Sequence, residues 1–151
     1  LINARGESSI SKLQKLFNRF AIPTVALYDR DVEGKYAKAH NNIFYTDEIC
    51  FEMDFVAHLL SLRKRSVMDM ARRGYAKLGI TKNQIVQRCL PNISDRKLDD
   101  LHIYYFSWFY ANKGVIVGRR ISQFLEAEMI PPAFVAVIER AKALSLGINI
   151  Y

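Results

Sequence analysis

Long apolar runs, clustered cysteines and patterned histidines are all missing from this chain of 151 residues. No stretch approaches the roughly 18 consecutive apolar residues that a membrane-spanning helix needs. Arg5 and Glu7 interrupt the N-terminal stretch at once, which excludes the apolar core of a signal peptide there; a cytoplasmic setting is the expectation. Cys50 and Cys89 stand far apart, with no Cys-x-x-Cys pair, so neither a zinc module nor a disulfide framework is indicated. His40, His58 and His102 share no spacing that suggests a metal site or a charge relay. There is no internal repeat and no low-complexity tract.

What is present is ordinary for a globular protein: 50% apolar residues and 25% charged ones. The length suits one domain with a real core and room for an attached lobe. The net charge of +7 points to an anionic partner, nucleic acid being the commonest, although the positive residues are spread along the chain. Leu1-Ile2-Asn3-Ala4, without a methionine, reads as the middle of a strand, so a piece of a longer protein is expected.

The most informative stretch runs from Ile22 to Gly34. Pro23 stops the preceding helix, and Thr24–Tyr28 is a short β-branched, apolar and aromatic run, expected to be a strand buried on both faces as in a parallel sheet. Asp29 and Asp31 follow at i and i+2, on one side of the chain if the strand conformation persists. The carboxyl ends of strands are where open α/β sheets bind ligands. Two carboxylates facing one small volume repel each other unless a cation lies between them, and an all-oxygen set suits Mg²⁺. The alternative is that both aspartates simply end a strand and enter a solvated turn.

Taken in order, Leu1–Ala4 is expected as a strand, with Gly6 in the turn and Ser8 or Ser9 capping a helix. Ile10, Leu13, Leu16, Phe17 and Phe20 then make one apolar helical face against a sheet. This is a βαβ unit. Residues 33–42 read as a loop and Ile43–Tyr45 as a strand. Cys50 opens a helix through Leu62, with Glu52 and Asp54 in its first turn. Those two acids either complement the helix dipole or, for Glu52, add a third oxygen ligand to the aspartates.

From Arg63 onward only helices are expected. Arg63, Lys64, Arg65, Arg72 and Arg73 make a basic segment, and Thr81–Gln84 fits a capping box for a helix that Pro91 ends. Ser94 or Asp95 starts an aromatic helix through Tyr110, in which Leu98, Leu101, Tyr105 and Trp108 lie at helical spacing. Base stacking is one use for its aromatics and core packing the other. Asn112–Gly114 breaks that helix, Val115–Glu126 forms another, and Pro132 begins the last. In that last helix Phe134, Val137, Ile138, Ala141 and Leu144 are expected to face inward, with Gly147 at the cap.

The run Ile2-Asn3-Ala4-Arg5-Gly6-Glu7-Ser8-Ser9, followed by Ala21-Ile22-Pro23 and by Tyr28-Asp29-Arg30-Asp31, resembles the Toprim domain of OLD-family (overcoming lysogenization defect) nucleases. Phe51-Glu52 resembles the family's next acidic strand end. Asn112-Lys113-Gly114 and Ile130-Pro131-Pro132 resemble its C-terminal part, while residues 63–100 match only in being helical. The chain departs from the family where Ala21 replaces a glycine before Ile-Pro and where Cys50 stands at a common serine position. The family's first strand, with its Glu-Gly, would lie before Leu1.

The resemblance implies an α/β fold with a Toprim-like parallel sheet and flanking helices over 1–62, and an all-helical part completing the domain over 63–151. It implies an Mg²⁺- (or Mn²⁺-) dependent endonuclease acting on DNA, with RNA an alternative substrate, behind an ABC-type ATPase domain and serving in phage defence. A homo-oligomer and no membrane association go with it. Asp29, Asp31 and Glu52 would be metal ligands, Asp29 and Glu52 thereby catalytic, and Lys113 would stabilise charge on the phosphate. Arg63, Lys64, Arg65, Arg72, Arg73, Arg119 and Arg120 would hold the nucleic-acid backbone, or else form solvated helical faces. The rival is a non-catalytic basic nucleic-acid- or partner-binding module on a Toprim scaffold. A primase or topoisomerase chemistry ranks below both, since no tyrosine stands in a strand-passage context.

Overall fold

The computed structural model describes residues 6–35, 42–74, 79, 81, 83–84, 99–114 and 116–147. The expected strand at Leu1–Ala4 and most of the expected loop after Lys35 lie outside that set, as do Pro91, Ser94, Asp95 and Leu98. Among the described residues the fold is α/β, with two parallel strands and a majority of helix. The chain divides into two compact units. One holds the chain up to Thr46 together with Pro132 onward, and the other holds Asp47–Pro131. The last helix is not part of a helical half; it packs on the strands.

In the sheet unit, α1 (Glu7–Arg19) leads into β1 (Ala26–Tyr28), and β2 (Ile43–Tyr45) pairs with β1 in parallel. Ala26 lies opposite Ile43, Leu27 opposite Phe44 and Tyr28 opposite Tyr45. The ladder is extended at both ends, Ala26 N–H donating to the Asn42 carbonyl at 2.9 Å and Thr46 N–H to the Tyr28 carbonyl at 3.0 Å. Along β1, Ala26 and Tyr28 are buried and Leu27 is half-buried. That alternation marks a sheet packed mainly on one face, not the doubly buried strand expected. The Tyr28 hydroxyl, taken inside with its ring, donates to Gln14 Oε1 of α1 at 3.3 Å.

Gly6, not a serine, occupies the N-cap of α1, and no side chain caps it. None of the helix's residues is buried, and Leu16 and Phe20 of the expected apolar face are largely exposed. The C-terminus closes in a Schellman pattern: Ala21 N–H donates to Asn18 O at 3.1 Å and Ile22 N–H to Phe17 O at 3.0 Å. Ala21 is thereby held at φ +53°, a left-handed conformation that suits glycine and costs an L-residue about 1–2 kcal/mol.

The final helix of the chain, which belongs to this unit, spans Pro132–Ser145 with proline at its first position, as expected, and Gly147 (φ +69°) donates its N–H to Leu144 O beyond its end. Its inward face is rotated from the expected one. Ala133 and Ala143 are buried, whereas Ile138 and Ala141 are exposed. Small side chains let a helix backbone approach its neighbour closely, and Arg140 Nε fastens it by donating to Asn42 Oδ1 at 2.8 Å.

The second unit packs α2 (Phe51–Ser61), α3 (Arg65–Arg72) and α4 (Asp100–Ala111) around Met53, Val56, Leu59, Met68, Phe106, Phe109 and Ile121, all fully buried. Counting the sheet unit's helix, Pro132–Ser145 is α5. In α4 the buried set is Ile103, Tyr105, Phe106 and Phe109, one position round from the expected stripe; Leu101 is exposed and Trp108 half-buried. The helix begins at Asp100, and Asp99 caps it by accepting the His102 N–H at 2.8 Å. The capping box at Thr81 forms as expected, with Thr81 N–H donating to Gln84 Oε1 and Gln84 N–H to Thr81 Oγ1.

The expected α-helix over Val115–Glu126 is not formed. A π-type turn at Ile116–Arg120 passes into single 3₁₀ turns at Ile121–Gln123 and Ala127–Met129. Gly118 in the middle of this stretch disfavours a regular helix, and the Arg120 guanidinium is drawn off to the Arg73 carbonyl, 3.2 Å away beyond the end of α3.

Replacing Ala21 with glycine should relieve the left-handed strain and raise stability by about 0.5–1 kcal/mol, after allowing for glycine's larger unfolded-state entropy. Urea denaturation checks this; a destabilised Ala21→Gly protein would show that the strain is not felt.

Candidate functional site

In the sheet unit the strand ends at Tyr28, and Asp29 becomes the N-cap of a 3₁₀ turn, Arg30–Val32. The Asp29 carbonyl accepts the Val32 N–H at 3.3 Å, and Arg30 N–H donates to Thr46 Oγ1 at 2.9 Å. The period-two alternation that set Asp29 and Asp31 on one side therefore stops one residue before it is needed. Asp29 is half-buried and Asp31 exposed. Arg30 Nε lies 3.3 Å from Glu33 Oε2 across the same turn. Thr46 drew no attention in the sequence; its buried hydroxyl ties the turn after β1 to the end of β2.

In the helical unit, Cys50 adopts an extended conformation at the N-cap of α2, which places Glu52 and Asp54 in the first turn as expected. Both are buried, and they have different partners. Asp54 turns back to accept the N–H groups of Asp47 (3.1 Å) and Glu48. Burial pushes its carboxyl up to about 6, against the lowering effect of those two hydrogen bonds and with a further upward push from the neighbouring Asp47 and Glu48 charges.

Glu52 faces Lys113 instead. Nζ of Lys113 lies 3.7 Å from Glu52 Oε2 and 4.5 Å from the centre of the Tyr110 ring. Lys113 sits not at a helix start but in the turn after α4, where Gly114 at φ +74° reverses the chain. Its side chain is 42% exposed against 10% for Glu52, so the acid is sheltered and the ammonium reachable from solvent. Two residues far apart in sequence, each singled out by the resemblance, thus share one place. Tyr110 was missed, and its position three residues before Lys113 was the only available signal.

Asp29, Asp31 and Glu52 offer only carboxylate oxygens, the donors a hard divalent ion takes. Among the described residues, however, no group of three or more His, Cys, Asp or Glu side chains is placed to hold a metal ion. Asp29 and Asp31 belong to the sheet unit and Glu52 to the helical unit.

The basic residues separate into two kinds. Arg63, Arg65, Arg73 and Arg119 are exposed. Lys64 is half-buried and reaches Glu126 at 4.0 Å. Arg120 is committed to the Arg73 carbonyl, and Arg72 is drawn in over the aromatic rings of α4. Arg63 also serves the backbone: at φ +58° it closes α2, with Lys64 N–H donating to Leu59 O at 2.8 Å. Among the described residues no helix is long and apolar enough to cross a membrane.

The Asp54 carboxyl, near 3.9 when unfolded and near 6 when folded, holds the extra proton in the native state between those values. Its contribution to stability is therefore largest below about pH 4 and is lost as pH rises through 6, by on the order of 2 kcal/mol. Thermal unfolding in EDTA should show that decline in the parent chain and not in Asp54→Asn. An unchanged slope in the variant assigns the titration to another group. Comparison with known proteins returns no matching family model, no matching curated protein and no matching solved structure.

Proposed function

We propose that this chain is the Toprim-like part of a metal-dependent nuclease of the OLD type, which hydrolyses phosphodiester bonds of DNA. The observation that carries the proposal is the Glu52–Lys113 pair at 3.7 Å. It joins an acid and a cation that the resemblance assigns to one reaction. The parallel pairing of β1 and β2, with Asp29 directly after β1, adds support. An upstream ABC-type ATPase domain, a homo-oligomer and a role in phage defence belong to the same proposal.

A phosphodiester gains negative charge as water attacks it in line. Lys113 offers a fixed positive charge from a partly exposed position, and Glu52, sheltered beside it, holds the ammonium in place. Asp29, Asp31 and Glu52 are the side chains that would hold a divalent ion, which when bound supplies Lewis-acid polarisation of a phosphoryl oxygen and a more acidic water. Arg63, Arg65, Arg73 and Arg119 attract the backbone without reading sequence.

A second reading is the non-catalytic basic module, favoured by the exposed Arg63, Arg65, Arg73 and Arg119 of the helical unit. Supercoiled plasmid incubated with Mg²⁺ or Mn²⁺ separates the two. Nicking that saturates with metal and stops in EDTA supports the enzyme; salt-sensitive binding with no nicking supports the module.

Asp29→Ala should lower the nicking rate by at least about 100-fold while leaving the circular dichroism spectrum unchanged; wild-type nicking by that protein removes Asp29 from the reaction. Lys113→Ala should lower turnover more than DNA affinity. A loss confined to affinity makes Lys113 a binding contact only.

A further inference from the structure

Among the aromatic residues of α4, Tyr104 is turned outward and is 50% exposed, while Tyr105, Phe106 and Phe109 are buried. Its ring is not isolated. The guanidinium carbon of Arg72, on α3, lies 4.5 Å from the centre of the Tyr104 ring and 4.8 Å from that of Trp108. Tyr105 meets Tyr104 edge-on, with ring centres 5.1 Å apart, and its own hydroxyl is tied down by donating to Asp69 Oδ1 at 2.8 Å.

Arg72 is held by these rings more than by hydrogen bonds. Its side chain is 15% exposed, Asp69 Oδ1 lies 3.8 Å away from Nη1, and its buried Nε has no hydrogen-bond partner among the described residues. The planar cation thus lies over both rings, favourable through cation–π attraction. Tyr104 is the more exposed of the two rings. The same unit carries exposed cations: Arg65 and Arg73 at the two ends of α3, and Arg119 on the turn that packs against α3.

An exposed ring on a unit that also carries exposed arginines matches one polyanion better than another. In a duplex every base face is already covered by its neighbours, so the ring has nothing to stack on. An unpaired base offers an open π-face, and stacking on an aromatic side chain is tolerant of sequence. We propose that Tyr104 is a base-stacking platform and that the ligand of this face is single-stranded DNA, its phosphates meeting Arg65, Arg73 and Arg119. The proposal rests on the nucleic-acid reading above and adds the strand state of the substrate.

Fluorescence anisotropy in EDTA tests it, with a labelled oligo(dT) strand and a duplex of equal length as ligands. The parent chain should prefer the single strand. Tyr104→Leu, which keeps bulk and removes the ring, should weaken single-strand binding about tenfold or more and leave duplex binding within about twofold; Tyr104→Phe should bind as the parent does. Unaltered single-strand affinity in Tyr104→Leu overturns the proposal. So does an equal loss for both ligands, which marks a general surface contact, and so does a preference for the matching RNA strand. Because no metal is present, the result is independent of cleavage. Single-strand selectivity in a chain that never nicks plasmid removes the nuclease and keeps the platform, and nicking with unaltered Tyr104→Leu affinity does the reverse.

Discussion

Two parallel strands of three residues each cannot hold together in water by their own ladder. The sheet unit depends on what covers that ladder. Tyr28 is the central case: its ring is buried, its carbonyl extends the pairing to Thr46, and its hydroxyl reaches α1 through Gln14. α5 supplies further cover by packing on both strands, with Arg140 Nε donating to Asn42 Oδ1 just before β2. Without a close-packing helix, the turn carrying Asp29 and Asp31 would have no fixed edge to project from.

Charge, not apolar burial, distinguishes the start of α2. A helix N-terminus favours acids, and Glu48, Glu52 and Asp54 are all buried there, where polar groups need partners. The structure meets this in two ways. Asp54 spends its oxygens on backbone N–H groups, which shapes the turn from Asp47 to Cys50, whereas Glu52 faces a lysine from the far end of the unit. The first arrangement is architectural. The second leaves an ammonium group partly open to solvent.

Much of the local structure was legible in the sequence. Pro132, the capping box at Thr81, the chain reversal at Gly114 and the β2 strand stand where their residue types put them. What was not legible has physical causes. Period two held in β1 but lapsed at Asp29, because a 3₁₀ turn with Thr46 as its anchor took over; a turn there was the alternative reading of the two aspartates. The stretch after Gly114 carries helical spacing, yet Gly118 and the bond from Arg120 to Arg73 draw it into tighter and looser turns. Arg72 looked like any other member of a basic run. Only three-dimensional packing shows that it lies among rings while Arg65 and Arg73 remain outside. Nor does any spacing announce that Glu52 meets Lys113.

The covalent order of the two units has a consequence for how the chain is built. β1 and β2 leave the ribosome early, but α5, which packs on them, is made only after the whole of Asp47–Pro131. Cover of the strands by α5 therefore comes only after the helical unit has been synthesised. Loop-closure entropy grows slowly with length, so the delay adds little to the equilibrium; it acts on kinetics, because distant contacts form late. During that interval the exposed strand edges and the apolar side of α1 are the surfaces a chaperone would meet first.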